Sequence, residues 1–228
     1  MDLHVIGPLA SPAERAAVDS VLGPPESRWN GGARVEGTDG HMSHTGHAVR
    51  GRRAELLPAL HALQDRVGWI SQPALNYISR RLAVAPAEAY GVATFYALFS
   101  TTPQPPVTAH VCDDIACRIA GAERICEDLA RTIGPEGKPG RDGSIGWKRS
   151  PCLGLCDLAP AAMITASGEA TTRATIAPAD AAAIVGRLER PAGTRAQPII
   201  RQEAGRGELR LLQRVGIVDP ASLSDYEA

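Results

Sequence analysis

The 228-residue sequence lacks the features that mark several large classes of protein. No apolar run approaches the ~20 residues that a membrane-spanning helix needs, and the amino terminus lacks the basic start and apolar run of a secretory signal. The formal net charge of −1 argues against a nucleic-acid partner and a polybasic membrane contact. We therefore expect a cytoplasmic protein with no direct membrane insertion.

Motifs for nucleotide binding and for nucleophilic catalysis are also absent. The sequence contains no phosphate-binding loop, no G-x-G-x-x-G after a predicted strand and no G-x-S-x-G. We therefore predict no catalytic residues and no nucleotide site on this chain, and no catalytic activity of the isolated chain.

The sequence does contain enough hydrophobic residues for a core, and it contains several cysteines that could form a site. Hydrophobic residues make up 44% of the chain but aromatics only 4%, so we expect a largely aliphatic core. Five cysteines occur. Because cytoplasmic thiols stay reduced, they indicate metal or redox chemistry rather than disulfides.

The first 51 residues are predicted to be a flexible extension. Their second half is rich in Gly, Pro and polar residues and shows no sustained period. Met42 is a candidate for the true start. Three histidines recur at every third position, His41, His44 and His47. A metal site there is conceivable, but a solvated segment is the preferred interpretation.

Residues 52–104 are predicted to form a helical bundle. The first helix carries apolar residues at helical spacing, namely Leu56, Leu60, Leu63 and Val67, and is expected to end at Gly68. A second helix should begin after Ser71 as its N-cap, with Pro73 in the first turn. A third should begin near Pro86, where Ala85 replaces a capping side chain.

Most of the aromatic residues cluster in this segment: Tyr77, Tyr90, Phe95, Tyr96 and Phe99. Taken alone, such a cluster is most often core. For the part around Tyr90, Phe95 and Tyr96 we predict packing on the domain that follows or on a partner subunit.

Residues 105–190 are predicted to form a small α/β domain of thioredoxin-like type. Strands are expected at 107–112 and 143–150, with an amphipathic helix over 121–134 between them. The segments "AAMITA" and "ATTRATI" flank the turn "SGE" and predict a hairpin. A last helix is expected over 178–190, starting at Pro178.

Four of the cysteines form two pairs that each follow a predicted strand. Cys112 and Cys117 have four residues between them, and Cys152 and Cys156 have three. The proline-bracketed stretch "SPCLGLCDLAP" cannot be a helix interior, so the second pair should lie in a loop. Two such loops at one end of a sheet would bring the four sulfurs together.

Four converging thiolates require a cation because they repel one another. The wide spacing within each pair favours a 2Fe–2S cluster, in which each pair holds one iron. Structural zinc usually uses tighter Cys-x2-Cys turns. Zinc and a thiol–disulfide function stay open as alternatives. The helix that starts near Gly121 should direct its positive end toward the site.

Cys126 fits neither pair. It lies in the middle of the predicted helix over 121–134, close to Ile125 and Leu129. We interpret it as a buried core cysteine and not as a ligand.

At this point the chain resembles a known family over residues 53–190. The segments that carry the resemblance are "LHALQDRVGWISQPALNYISRRLAVAPAEAYGVATFYALFSTTPQ", "HVCDDIACRIAGA" and "PCLGLCDLAPAAMI". They are similar to the thioredoxin-like 2Fe–2S subunit of NADH–quinone oxidoreductase, respiratory complex I. Related subunits occur in NAD-dependent formate dehydrogenases and NAD-reducing hydrogenases.

The resemblance implies an α+β or α/β chain, with a helical bundle followed by a thioredoxin-like 2Fe–2S ferredoxin domain. It implies that Cys112, Cys117, Cys152 and Cys156 bind one 2Fe–2S cluster. It also implies partners: a flavoprotein subunit that carries FMN and the NAD(H) site, and further iron–sulfur subunits. The location would be cytoplasmic, with peripheral attachment to the inner membrane face through the complex as a variant.

The carboxyl-terminal extension, residues 191–228, carries a second resemblance. "RLLQRVGIVDPASLSDYEA" is similar to the opening arm of the flavoprotein subunit. Either the chain is the front of a fusion with that subunit, or this is an ordinary extension. The final electron acceptor also stays open, because quinone, formate dehydrogenase and hydrogenase complexes use the same module. A zinc-stabilised scaffold without redox function is the alternative of another class.

Overall fold

The computed structural model of the protein describes residues 7–28, 32, 51–140, 142–191 and 222–224. The chain divides into two units, residues 1–194 and 195–228, of which the second is described only at 222–224. The three spaced histidines, Met42 and most of the tail that resembles a flavoprotein arm lie outside the described residues. The domain boundaries predicted near residues 52, 105 and 191 stay predictions.

The amino-terminal layer of the first unit consists of helices around one aliphatic core. The helices are α1 (Pro12–Leu22), α2 (Leu56–Val67), α3 (Gln72–Leu82) and α4 (Pro86–Phe95). A 3₁₀ turn, Arg52–Glu55, leads into α2. The fully buried side chains of this core include Leu60, Leu63, Ile78 and Leu82. The predicted helical bundle is thereby confirmed.

The predicted helix boundaries follow from local capping chemistry. Helix α2 ends at Gly68, whose φ of 90° is in the left-handed region that favours glycine. Helix α3 begins after Ser71, whose hydroxyl accepts a hydrogen bond from the Ala74 amide at 3.2 Å. Helix α4 begins after Ala85 without a side-chain cap, as predicted.

Helix α1 corrects the prediction that residues 1–51 are flexible throughout. Ser11 and Glu14 form a reciprocal capping box, in which each side chain accepts from the backbone amide of the other residue. Ala17, Val18 and Leu22 then pack into the core shared with α2 and α3. The prediction was wrong because alanine makes up half of the apolar residues of this helix and gives a weak pattern, so that only burial against other helices reveals them as core.

The second layer is a sheet with helices on one face. Its strands are β1 (Val107–Cys112), β2 (Ile145–Ser150), β3 (Ala162–Ala166) and β4 (Thr172–Ile176), in the order β2-β1-β3-β4. Strand β1 runs parallel to β2 and antiparallel to β3, and β3 and β4 form the predicted antiparallel hairpin. The helices are α5 (Ile115–Ile119), α6 (Ala122–Thr132) and α7 (Ala181–Glu189).

Alternation along β1 sends side chains to two different surroundings. Ala109 and Val111 pack in a core with residues of α6 and α7. Thr108 and His110 line a cavity of about 90 Å³ together with Phe99 and other residues of the helical layer. The sheet is therefore covered on both faces. The cysteine pairs lie instead at the ends of its strands.

Two local predictions needed correction. Helix α7 begins at Ala181 and not at Pro178, because the Asp180 carboxylate caps it by accepting from the Ala183 amide at 2.8 Å. The short helix α5 is absent from the sequence-based predictions, although Asp114 is a capping residue directly before it. Among the described residues, no helix is both long enough and apolar enough to cross a bilayer.

The aromatic cluster is only partly core. Phe99 is buried, and its ring lies 4.7 Å from that of His61. Tyr77 is half-buried, whereas Tyr90, Phe95 and Tyr96 are exposed. The core interpretation therefore holds for Phe99 and not for these three, whose side chains lie on the surface of the helical layer.

Candidate metal centre

The strand topology brings the two cysteine pairs to the same edge of the sheet. Strands β1 and β2 are parallel neighbours, and the last residue of β1, Cys112, lies opposite the last residue of β2, Ser150. Cys152 follows two residues later. Both pairs therefore follow the carboxyl ends of parallel strands, which share one sheet edge, and this part of the prediction is confirmed.

The first pair is buried. Cys112 ends β1, and its amide donates to the Ala161 carbonyl at 3.0 Å. Cys117 lies in α5 and not in a loop, because Asp114 caps a short helical turn by accepting from the Ile115 amide at 2.8 Å. Both cysteines pack with Ala122, the first residue of α6. The amino terminus of α6 therefore lies beside this pair, as predicted.

The first pair is also electrostatically coupled to the second. Burial raises the pKa of the Cys117 thiol to about 11, and the hydrogen bond with Cys112 and the negative charge of Cys156 act in the same direction. A metal bound there must displace the thiol proton, so that metal binding and deprotonation are linked.

The second pair is exposed and closely spaced. The Sγ atoms of Cys152 and Cys156 lie 3.4 Å apart. The Gly154 amide points at Cys152 Sγ at 3.3 Å, which a φ of 77° at Gly154 makes possible. The hydrogen bond with the Cys152 thiol raises the pKa of Cys156. A negative charge on Cys152 acts in the same direction, since a second thiolate beside the first is disfavoured.

These two pairs fit an iron–sulfur cluster by their arrangement and chemistry. Two sulfurs on one tetrahedral metal, with bonds of about 2.3 Å, would lie about 3.8 Å apart. The 3.4 Å separation in the second pair is close to that value. Across the described ranges, no group of three or more His, Cys, Asp or Glu side chains is arranged to hold a metal ion. Thiolate sulfurs are soft donors that suit iron–sulfur clusters, in which each cysteine pair would hold one iron.

Cys126 lies where the sequence predicted it, away from the pairs. It is buried in the core between α6, α7 and the sheet, and burial raises its pKa to about 11. A thiol with that pKa is protonated at neutral pH and behaves as a small apolar side chain.

Sequence reasoning missed one charged residue beside the site. Arg149 lies on β2 opposite Val111 and contacts carboxylates from three separate segments. Its only sequence signal is its place three residues before Cys152.

This fold and this pair of cysteine loops define a class of protein. The profile of the thioredoxin-like [2Fe-2S] ferredoxin family matches residues 42–189. The chain belongs to this family, whose cofactor is a 2Fe–2S cluster. The thioredoxin-like fold inferred from the sequence is thereby confirmed.

Relatives with assigned names are components of NADH-quinone oxidoreductases. Subunit 2 of the Thermus thermophilus enzyme is 35% identical over 111 residues, which are 48% of this chain and 61% of that one. One component of the Rhizobium meliloti enzyme is 34% identical over 110 residues, 48% of this chain and 66% of that one. One component of the Pseudomonas aeruginosa enzyme is 32% identical over 124 residues, 54% of this chain and 75% of that one. The chain thus spans under two thirds of the first two relatives.

Solved structures of an NAD+-reducing [NiFe]-hydrogenase are also similar. The hydrogen-reduced form matches with a TM-score of 0.47 and 26% identity, over 59% of this chain and 22% of the hydrogenase chain. The air-oxidized form gives a TM-score of 0.46 and 27% identity, over 59% of this chain and 23% of the hydrogenase chain.

Proposed function

We propose that this chain is an electron-transfer subunit that carries one 2Fe–2S cluster next to the FMN and NADH site of an NADH–quinone oxidoreductase type complex. The ligands are Cys112, Cys117, Cys152 and Cys156. The observation that carries the proposal is the placement of the two cysteine pairs at the carboxyl ends of parallel strands β1 and β2 in a member of a 2Fe–2S family.

The two pairs of ligand cysteines lie at different depths in the protein. Cys112 and Cys117 are buried and fix one side of the site to the sheet and to α6. Cys152 and Cys156 are exposed, so that the other side faces outward. The cluster supplies one-electron chemistry, and electrons reach a partner most directly through this exposed side.

The proposed partners are a flavoprotein subunit with FMN and the NAD(H) site, together with further iron–sulfur subunits. The named relatives are components of NADH-quinone oxidoreductases, which supports such an assembly. The sequence contains no nucleotide-binding motif, so that hydride chemistry belongs to the partner. We place the chain in the cytoplasm, within that complex.

Single replacements of the five cysteines by serine test the ligand assignment. Cys112→Ser, Cys117→Ser, Cys152→Ser and Cys156→Ser should each destroy or destabilise the cluster, because a serine hydroxyl gives up its proton far less readily than a thiol. Cys126→Ser is the matched control. It should keep the cluster and cost on the order of 1–3 kcal/mol of stability, because it buries a hydroxyl.

The measurement is iron and sulfide content after anaerobic purification, with the low-temperature electron spin resonance signal of the reduced protein. Near-normal iron in the Cys152→Ser and Cys156→Ser proteins, or equal iron loss in Cys126→Ser, would overturn the ligand assignment. Stoichiometric zinc without iron in the unmodified chain would instead favour the zinc scaffold.

A further inference from the structure

The Arg149 guanidinium joins three segments, two of which flank the Cys112 and Cys117 pair in sequence. Its Nη1 and Nη2 atoms donate to the two carboxylate oxygens of Glu123 at 2.9 and 2.7 Å. Nη1 also lies 3.4 Å from Asp113 Oδ2, and Nε lies 3.4 Å from Glu136 Oε2. The Arg149 amide donates to the other oxygen of Glu136 at 3.0 Å.

These contacts fix the chain at two points near the first ligand pair, one just after Cys112 and one after Cys117. Asp113 directly follows Cys112, and Glu123 lies in the first turn of α6, six residues after Cys117. The Asp113 amide also donates to the carbonyl of Ser150, the residue after Arg149, at 3.1 Å. The end of β2 therefore anchors the segment 112–123 at its beginning and at its end.

The guanidinium also balances a local excess of negative charge. Three carboxylates surround it, and the only other cation paired with them in the described part of the chain is Arg118, 3.7 Å from Asp113. The paired contact with Arg149 lowers the pKa of Glu123, so that this carboxylate is ionised at neutral pH. Without Arg149, the Glu123 charge next to the ligand segment would be unpaired, and Asp113 would keep only the longer contact with Arg118.

We infer that Arg149 is a positioning residue that orients the Cys112 and Cys117 segment and raises the reduction potential of the bound cluster. The inference rests on the proposed function. Reduction would add one negative charge to the cluster as a whole, and a nearby cation would favour that step while nearby carboxylates would oppose it. Arg149 thus acts on the cluster through Asp113 and Glu123, and it does not itself bind iron.

Opposite charge changes in the full-length, cluster-loaded chain test this inference. Arg149→Met removes the cation and should shift the reduction equilibrium toward the oxidised form about threefold, which is roughly 28 mV downward for a one-electron couple. Glu123→Gln removes one carboxylate and should shift the potential upward. Arg149→Lys keeps the charge but loses the two-pronged contact, so it should restore most of the potential with an altered spin resonance spectrum.

Arg131→Met is the control, because Arg131 pairs with Asp128 farther along the same helix as Glu123. It should leave the potential and the spectrum unchanged. The measurement is a redox titration followed by electron spin resonance, at low and at high salt. The Arg149→Met and Glu123→Gln shifts should shrink at high salt, since screening weakens exposed charges. A purely structural role would not produce shifts of opposite sign that respond to salt.

Unchanged potentials and spectra in both Arg149→Met and Glu123→Gln would overturn the inference. Shifts of the same sign in these two proteins would also overturn it. If Arg149→Met cannot retain iron, the sign of the Glu123→Gln shift decides. Failure of the proposed function is distinguishable, because the unmodified chain would then hold no 2Fe–2S cluster at all.

Discussion

At the residue scale, the pKa of His110 is determined by its burial between the sheet and the helical layer. His110 lies on β1, with its ring turned away from the core of Ala109 and Val111. Its Nε2 atom lies 3.2 Å from the Thr165 hydroxyl, and Nδ1 has no hydrogen-bond partner within the described residues. Burial lowers the pKa of His110 to about 3, and the charges of Lys148 and Arg173 act in the same direction.

This shift predicts a loss of stability in mild acid. Because the pKa in the folded chain is below the ordinary value of about 6.5, the unfolded chain takes up the proton first. Above about pH 6.5, His110 is neutral in both states and does not lower the free energy of unfolding. As the pH falls from there toward 3, protonation of His110 in the unfolded chain lowers that free energy. Between pH 7.5 and 5, the loss should be about 2 kcal/mol.

Denaturant unfolding of the unmodified chain and of His110→Gln at these two pH values measures this loss. The His110→Gln protein should show a smaller pH dependence by that amount, because glutamine does not titrate. Equal pH dependence in the two proteins would show that His110 is protonated in the folded chain, or that the fold opens to admit the proton.

At the scale of elements, α1 is a full member of the helical layer. The Arg81 guanidinium, which is buried, pairs with Asp19 of α1 and donates to the Gly23 carbonyl at 2.6 Å. The Ser71 hydroxyl donates to the buried carboxylate of Glu14. Removal of α1 would leave the Arg81 charge and the Ser71 hydroxyl without these partners and would expose the apolar surface that Val18 covers.

A chain that starts at Met42 should therefore unfold at a clearly lower temperature than the full chain but retain its iron. The cluster should survive because its ligands belong to the other layer. A finer test replaces the capping side chain: Ser11→Ala should cost about 1 kcal/mol, whereas Ser20→Ala, on the exposed side of the same helix, should change stability by under about 0.5 kcal/mol. Thermal unfolding and iron content are the measurements. An unchanged melting temperature of the shortened chain would show that α1 contributes little to the stability of the helical layer.

At the scale of the whole molecule, exposed aromatic side chains form a candidate surface for the proposed partner. Phe95 is 79% exposed at the end of α4, with its ring 5.2 Å from that of Tyr96. Of the two sequence-based explanations for the aromatic cluster, packing in the core fails for these residues. Large exposed aromatic groups are typical of protein interfaces.

We therefore expect Phe95→Ser to weaken co-purification with the proposed flavoprotein partner while the iron content stays normal. The matched control is Leu9→Ser, because Leu9 is 82% exposed but belongs to the segment before α1. Pull-down with the flavoprotein, at equal loading of cluster, measures the difference. Equal recovery of the two variants would exclude the α4 aromatic surface from the interface.

Much of the fold was predictable because its signals are local. The caps at Ser71 and Gly68 act within one turn of their helices, so they can be read without knowledge of any distant contact. The strand alternation that ends at Cys112 is equally local. The order β2-β1-β3-β4 was not among the predictions, because strand pairing joins residues far apart in sequence.

The sequence by itself determined the two cysteine pairs, their spacing and the strands that precede them, and with these the family. Only the tertiary structure decided that α1 is core, that Phe95 is exposed, and that Arg149 joins Asp113, Glu123 and Glu136. The physical reason is the range of the interactions. Capping and periodicity act over one or two turns, whereas burial and charge pairing depend on which distant segments the fold brings into contact.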